Sequence, residues 1–277
     1  MGTLTQRVLF AVPAIILLLA ITFWSWTLPF KLVVAAGLGL ALLEYFNLAD
    51  ARKLKTLRVE GFMALALLLL PWMVRPLIWA AQDGFLIGLF LLTLSFLWSR
   101  RPLKEMVVSV SVTFFGVAYF GVLGTYFLRL RELPGGAWHL LWLYIATWAY
   151  DTGGYFGGRW WGRHRFAPLA SPKKSVEGCV GGFVLVVAGL SLLWVGMKSF
   201  GDVPLYHFGD VIALSVLLSL FGQLGDLVES IIKRSLSAKD SGSLLPGHGG
   251  IFDRIDSLLF NAPVLFYYLY YFVLDQR

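Results

Sequence analysis

Between Ser230 and Asp256 the chain reads SIIKRSLSAKDSGSLLPGHGGIFDRID, 27 residues that hold four cations, three acids and a Pro-Gly-His-Gly-Gly turn. Lysine and arginine suit phosphate, carboxylates suit hard divalent cations such as Mg²⁺, and glycines let a backbone approach a ligand closely. Phosphoryl chemistry is the reaction class that these residue types serve together. The preceding GQLGDLVES, Gly222 to Ser230, adds Asp226 and Glu229, which with Ser230 and Lys233 are spaced i, i+3, i+4, i+7 and so share one helix face. Asp253 and Asp256, at i and i+3, open the next helix. Such a pair alone is well explained as helix capping. With Asp226 on the preceding helix and a glycine turn between, Asp226, Asp253 and Asp256 are expected to converge as metal ligands, with Arg254 facing away from them or toward a phosphate. Lys233, Arg234, Lys239 and Asp240 precede the turn. The backbone around Gly249 and Gly250 is expected to cradle phosphate, and His248 to orient phosphate or a ligand carboxylate.

A second polar block, DTGGYFGGRWWGRHRFAPLASPKKSVEG, runs from Asp151 to Gly178. Its glycines four apart read first as a helix-packing seam. Asp151, an acid inside an apolar helix, reads as functional. Ser171, Lys173 and Lys174 are expected at a phosphate, with a topology-setting basic loop as the competing reading.

The elements that must position these residues are apolar helices. The chain has 277 residues, of which 58% are hydrophobic and 14% charged, with a mean hydropathy of +0.75. Soluble domains carry about 25% charged residues, so the sequence describes an all-α integral membrane protein, a polytopic bundle. Nine helices are expected, near 8–26, 29–46, 61–80, 84–99, 106–129, 137–158, 176–198, 208–233 and 257–274. Pro71, Arg75 and Pro76 interrupt the third, and the short break before the fourth leaves a re-entrant pair open. The first reads as a retained span rather than a signal peptide, since no small-residue cleavage site follows it. Residues 1–135 group as N-terminal membrane helices and 136–277 as a catalytic membrane region with polar loops, in one membrane unit without a soluble domain. The single Cys179 excludes an intrachain disulfide.

Counted by side, seventeen Lys and Arg share the N-terminal side with the motif loops against six on the other. That bias predicts a cytoplasmic N-terminus and cytoplasmic motif loops, with the C-terminus outside. Entering from the outside near Phe208, the eighth helix climbs about 27 Å by Asp226, which places that acid near the depth of a phospholipid headgroup.

The order Ser230, Lys233, Arg234, Lys239, Asp240, Gly242, Pro246, His248, Gly249, Gly250, Asp253, Arg254, Asp256 resembles, without a gap, the signature of phosphatidate cytidylyltransferases, the CDP-diacylglycerol synthases. The 151–178 block resembles that family's second recurrent block, departing at Gly154, Ser175 and Val176, where Ala, Thr and Trp are common. The resemblance implies transfer of a cytidylyl group from CTP to phosphatidic acid, giving CDP-diacylglycerol and pyrophosphate. It implies one or two Mg²⁺ ions on Asp226, Asp253 and Asp256, with room for a monovalent cation. Catalysis would fall to these acids with Lys233, Arg234, Lys239, Asp240, His248 and Arg254. Substrate binding would fall to Asp151, Ser171, Lys173, Lys174, Glu229, Ser230, Gly249 and Gly250. It further implies a homodimer among membrane lipids, in the cytoplasmic (inner) membrane if the source is bacterial, and no nucleic-acid partner. A CTP-dependent polyprenol or lipid kinase, similar in its late acidic motif, stays open as an alternative. From another class, so does an ion-coupled transporter using Asp151 and Asp226, although neither an internal repeat nor central charges support it.

Overall fold

The structure, a computed structural model, describes residues 4–74, 81–98, 102–198, 206–242 and 249–274. Among them the chain is all-α. Its helices are α1 (Leu4–Phe23), α2 (Leu28–Ala51), α3 (Arg58–Met73), α4 (Ala81–Trp98), α5 (Met106–Gly116), α6 (Leu123–Glu132), α7 (Gly136–Trp160), α8 (Val176–Met197), α9 (Phe208–Ser235) and α10 (Phe252–Tyr268). A π-helical turn, Val117–Val122, joins α5 to α6, and another, Leu269–Leu274, extends α10. Counting α5 and α6 as one run gives the nine helices that hydropathy suggests. Among the described residues five runs are long and apolar enough to cross a membrane: α2, Leu103–Glu132, α8, α9 and Phe252–Leu274.

Bilayer rather than water is the solvent these helices are built for. On α8, Val180, Val184, Leu192 and Val195 are 55–76% exposed, an apolar surface suited to hydrocarbon. The third expected helix stops at Met73, and α3 is 16 residues long, short of the about 20 needed for a span. Its end is tied by Lys31 of α2, whose ammonium donates to the Trp72 carbonyl. Arg75 and Pro76 lie outside the described residues.

The chain forms two compact units. The first comprises residues 1–129 together with 236–253, so the segment between α9 and α10 belongs with the N-terminal helices. Its core gathers Phe30, Leu38, Leu42, Phe46, Phe120 and Phe252. The π-turn lies beside a tight crossing of α2 and α5. A Cβ on Gly116 would come 2.7 Å from the Tyr45 ring, and the Tyr45 hydroxyl donates to the Val112 carbonyl at 3.1 Å. That bond ties the end of α5 to α2 just before the turn.

The second unit comprises residues 130–235 and 254–277, with Trp142, Leu143, Val186, Leu190, Leu214 and Leu259 at its core. Here α7 and α8 pack backbone to backbone. A Cβ on Gly181 would lie 2.8 Å from the Gly153 carbonyl oxygen, and one on Gly157 would lie 3.0 Å from that of Glu177. The seam expected of these glycines is therefore present, but it uses Gly153 and Gly157, and leaves Gly154 and Gly158 facing a cavity. Gly181→Val should drive the two helices apart and cost about 2 kcal/mol. The thermal midpoint of the detergent-solubilised protein reads that loss, with Gly37→Ala, where nothing lies within 4 Å, as the unchanged control.

Candidate functional site

Acids can meet on α9 and α10 because small residues clear the way. A Cβ on Gly225 would sit 2.7 Å from the Asp256 carbonyl oxygen and 3.1 Å from Phe260 Cβ, and one on Gly222 would sit 2.8 Å from Asn261 Nδ2. With hydrogen alone at these positions, α10 lies against α9 closely enough for Asp256 to face Asp226 and Glu229. One carboxylate oxygen from each of these three acids lies within 4.8 Å of the others. Like charges so close repel unless compensated. Lys174 pairs with Asp226, and Lys233 reaches Glu229 Oε1 at 2.7 Å. Three carboxylates offering only oxygen form the donor set of a hard divalent cation.

Asp226 also stands on the wall of a cavity of about 580 Å³. Tyr150, Asp151, Gly154, Tyr155, Gly158 and Arg159 of α7 line it, with Ser175, Gly178 and Cys179 at the start of α8, Gln223 of α9, and Arg165, Lys173 and Lys174 of the intervening loop. Arg159, Arg165, Lys173 and Lys174 set four cations against Asp151 and Asp226, so the cavity suits a polyanion.

That loop is closed by its own polar groups. The Ser175 hydroxyl accepts from the Gly178 amide at 3.2 Å and caps α8. The Val176 amide donates to the His164 carbonyl at 2.9 Å, and Glu177 accepts from the amides of Arg163 at 3.0 Å and His164 at 3.2 Å. Arg165 donates to the Lys173 carbonyl. Serine caps as well as the threonine common in related sequences, so that departure leaves the loop intact. Val176 is half exposed.

Asp253, whose spacing suggested a third metal ligand beside Asp226 and Asp256, has other partners. Its Oδ2 accepts from the Ser241 amide and hydroxyl, each at 3.0 Å, and from the Gly250 amide at 2.9 Å. Capping and loop closure use this carboxylate, and Glu229 stands in the three-acid group. Gly250 therefore gives its amide to Asp253, where the sequence suggested phosphate. Gly249 has φ +81°, and a Cβ there would come 2.7 Å from Asp253 Oδ2, so the turn requires glycine. Arg234, Lys239, Asp240 and Arg254 are exposed, while Ser171 and Ser230 are half-buried. His248 and Pro246 lie outside the described residues.

Several residues escaped the sequence reading. Glu44 of α2 accepts from the Ser241 hydroxyl at 2.8 Å and from the amides of Ile251 and Phe252, each at 3.0 Å. Arg52, at the C-terminal cap of α2, donates to the carbonyls of Leu236 at 2.8 Å and Ser237 at 3.2 Å. Tyr150 donates to Gln223 Oε1 at 3.0 Å within the cavity wall. An acid inside an apolar span is the signal that marks Glu44; nothing local marks Gln223.

The profile of the cytidylyltransferase family matches residues 5–272. This chain belongs to that family. Among similar proteins, the phosphatidate cytidylyltransferase of Staphylococcus haemolyticus is 34% identical over 265 residues, covering 94% of this chain and 96% of that protein. The enzyme of the same name from Bacillus subtilis is 34% identical over 275 residues, 97% and 98% of the two chains. That from Staphylococcus aureus strain COL is 35% identical over 231 residues, 82% and 85%. Membership in the cytidylyltransferase family makes this an integral membrane nucleotidyltransferase, and the cation-lined cavity has the character such a transfer needs.

In this cytidylyltransferase the two lysine pairs differ in depth. The Glu229 side chain is 2% exposed, that of Asp226 34%. Lys233→Met strands a buried carboxylate and should cost about 3 kcal/mol, whereas Lys174→Met should cost under about 1 kcal/mol. Thermal unfolding in detergent separates the two, and Lys233→Met combined with Glu229→Gln should recover most of the larger loss.

Proposed function

We propose that this protein is a phosphatidate cytidylyltransferase, joining CTP to phosphatidic acid with release of pyrophosphate. The observation that carries the reading is the sharing of Asp226 between the cation-lined cavity and the three-carboxylate group. Anion-binding and cation-binding surfaces meet at one side chain, as transfer between two phosphate-bearing substrates requires.

The attacking oxygen belongs to the phosphomonoester of phosphatidic acid. Its second pKa is about 6 by analogy with phosphoserine, so it is largely ionised at neutral pH and needs no strong base. It forms a new bond to the α-phosphorus of CTP as the bond from that phosphorus to the pyrophosphate oxygen breaks. The demands on the protein are alignment and relief of repulsion between polyanions. Lys173, Lys174, Arg159 and Arg165 would hold phosphates in the cavity, with Asp151 on its wall orienting those cations. Lys233, Arg234, Lys239 and Arg254 would offset remaining charge near the membrane surface. The acids that fit Mg²⁺ are Asp226, Glu229 and Asp256, by their oxygen donors and mutual distance. Bound there, Mg²⁺ supplies neutralisation of the triphosphate and of the departing pyrophosphate. Asp253 and the glycines beside it would shape the segment that brings Arg254 and Asp256 to the site. The excess of cations on the N-terminal side supports a site opening to the cytoplasm, where CTP is found, and the family resemblance supports a homodimer.

Purified protein given labelled CTP, phosphatidic acid and Mg²⁺ should place label in the lipid with equimolar pyrophosphate. Release of CDP with phosphorylation of a lipid alcohol would establish the kinase alternative. Ion uptake in vesicles without any turnover would establish the transporter. Asp226→Asn, Glu229→Gln and Asp256→Asn should each lower kcat/KM about 100-fold or more, and Mg²⁺ chelation should abolish turnover reversibly.

A further inference from the structure

We propose that Glu44 is a positioning residue for this reaction, latching the segment between α9 and α10 and setting the rotation of the first turn of α10. The proposal rests on the function just stated. Glu44 lies in a 24-residue apolar helix and is 7% exposed. A carboxylate so placed costs several kcal/mol unless donors satisfy it. Its donors come from about two hundred residues further along the chain: the Ser241 hydroxyl and the amides of Ile251 and Phe252. Those two amides stand at the start of α10, where no intrahelical acceptor exists and the positive end of the helix dipole favours an anion. Glu44 is thus an N-terminal cap supplied from another helix.

The fit leaves little slack. A Cβ on Gly242 would come 2.8 Å from Glu44 Oε1, and one on Gly250 would overlap both Ser241 Oγ and Glu44 Oε2. Glu44 and Asp253 share the Ser241 hydroxyl, at 2.8 Å and 3.0 Å. Phe252 is fully buried, its ring edge-on to Phe120 at 4.8 Å between centroids. One turn beyond Phe252 comes Asp256, so a slip of α10 by one residue would swing that carboxylate by about 100°. Among the described residues Glu44 hydrogen-bonds to Ser241, Ile251 and Phe252, and it acts through them.

Glu44→Gln keeps the volume but sets an NH₂ against amide donors. With full-length protein in detergent, CTP and phosphatidic acid, kcat should fall about tenfold or more while both KM values stay within about threefold. Amide hydrogen exchange at Ile251 and Phe252 should accelerate about tenfold. If Glu44→Gln does not yield folded protein, Glu44→Asp, which keeps the charge but withdraws it by one methylene, is read on the same two signals. Wild-type kcat, a loss confined to KM, or unchanged exchange at those amides overturns the latch. Absence of cytidylyl transfer by the wild-type protein overturns the function reading instead, and exchange still decides whether Glu44 holds α10.

Discussion

An acid inside an apolar helix bundle must be given a counter-charge or a set of donors, because hydrocarbon offers neither. The polar architecture of this protein follows from that constraint. Glu229 is held by Lys233 one turn away on the same helix, Asp226 by Lys174 from the loop before α8, and Glu44 by amides at the start of α10. Asp210, near the start of α9, accepts from the Tyr268 hydroxyl at 2.7 Å and from the His207 amide at 2.7 Å. The three solutions at Glu229, Asp226 and Glu44 differ in what they free for chemistry. A lysine can exchange its carboxylate for a phosphate, whereas a backbone amide at a helix start stays where the fold puts it.

Glycine makes the close approaches possible. The α7–α8 seam brings two backbones together and, on its other face, leaves Gly154 and Gly158 to line a cavity with little side-chain bulk. The α9–α10 seam, with Gly222 and Gly225, brings carboxylates within reach of one another. Membrane helices gain little from burying apolar surface against one another, since lipid is equally apolar, so such dispersion-rich, small-residue contacts carry association. Structural and chemical roles therefore alternate along the same helices, often one residue apart.

Phosphoryl transfer between two anions asks for placement and charge compensation more than for proton transfer. The cavity has cations on a loop closed by Ser175 and Glu177, and on either side of the turn before α10 Asp253 and Glu44 accept from Ser241, Gly250, Ile251 and Phe252. In both, the described backbone amides are met by capping carboxylates and hydroxyls. Irregular backbone in a membrane protein is tolerated only where its amides and carbonyls find partners.

Sequence alone determined the solvent, the helices and the reaction class. Composition marks a membrane protein, hydropathy marks nine helical runs, and the Ser230–Asp256 block resembles the family's signature without a gap while the Asp151–Gly178 block resembles its second block with three departures. These are local properties, written in residue type and spacing along one chain. Which acid meets which was decided by tertiary structure. Spacing placed Asp253 and Asp256 on one side of a helix start, but the helix end and the turn before it needed a carboxylate and took Asp253, while Glu229 reached the group through the α9–α10 seam. Glu44 meets Ser241 across about two hundred residues, and no local pattern encodes that return. Periodicity reports the face a residue occupies on its own helix; the distance between helices, set by glycines and by where loops close, decides what stands opposite.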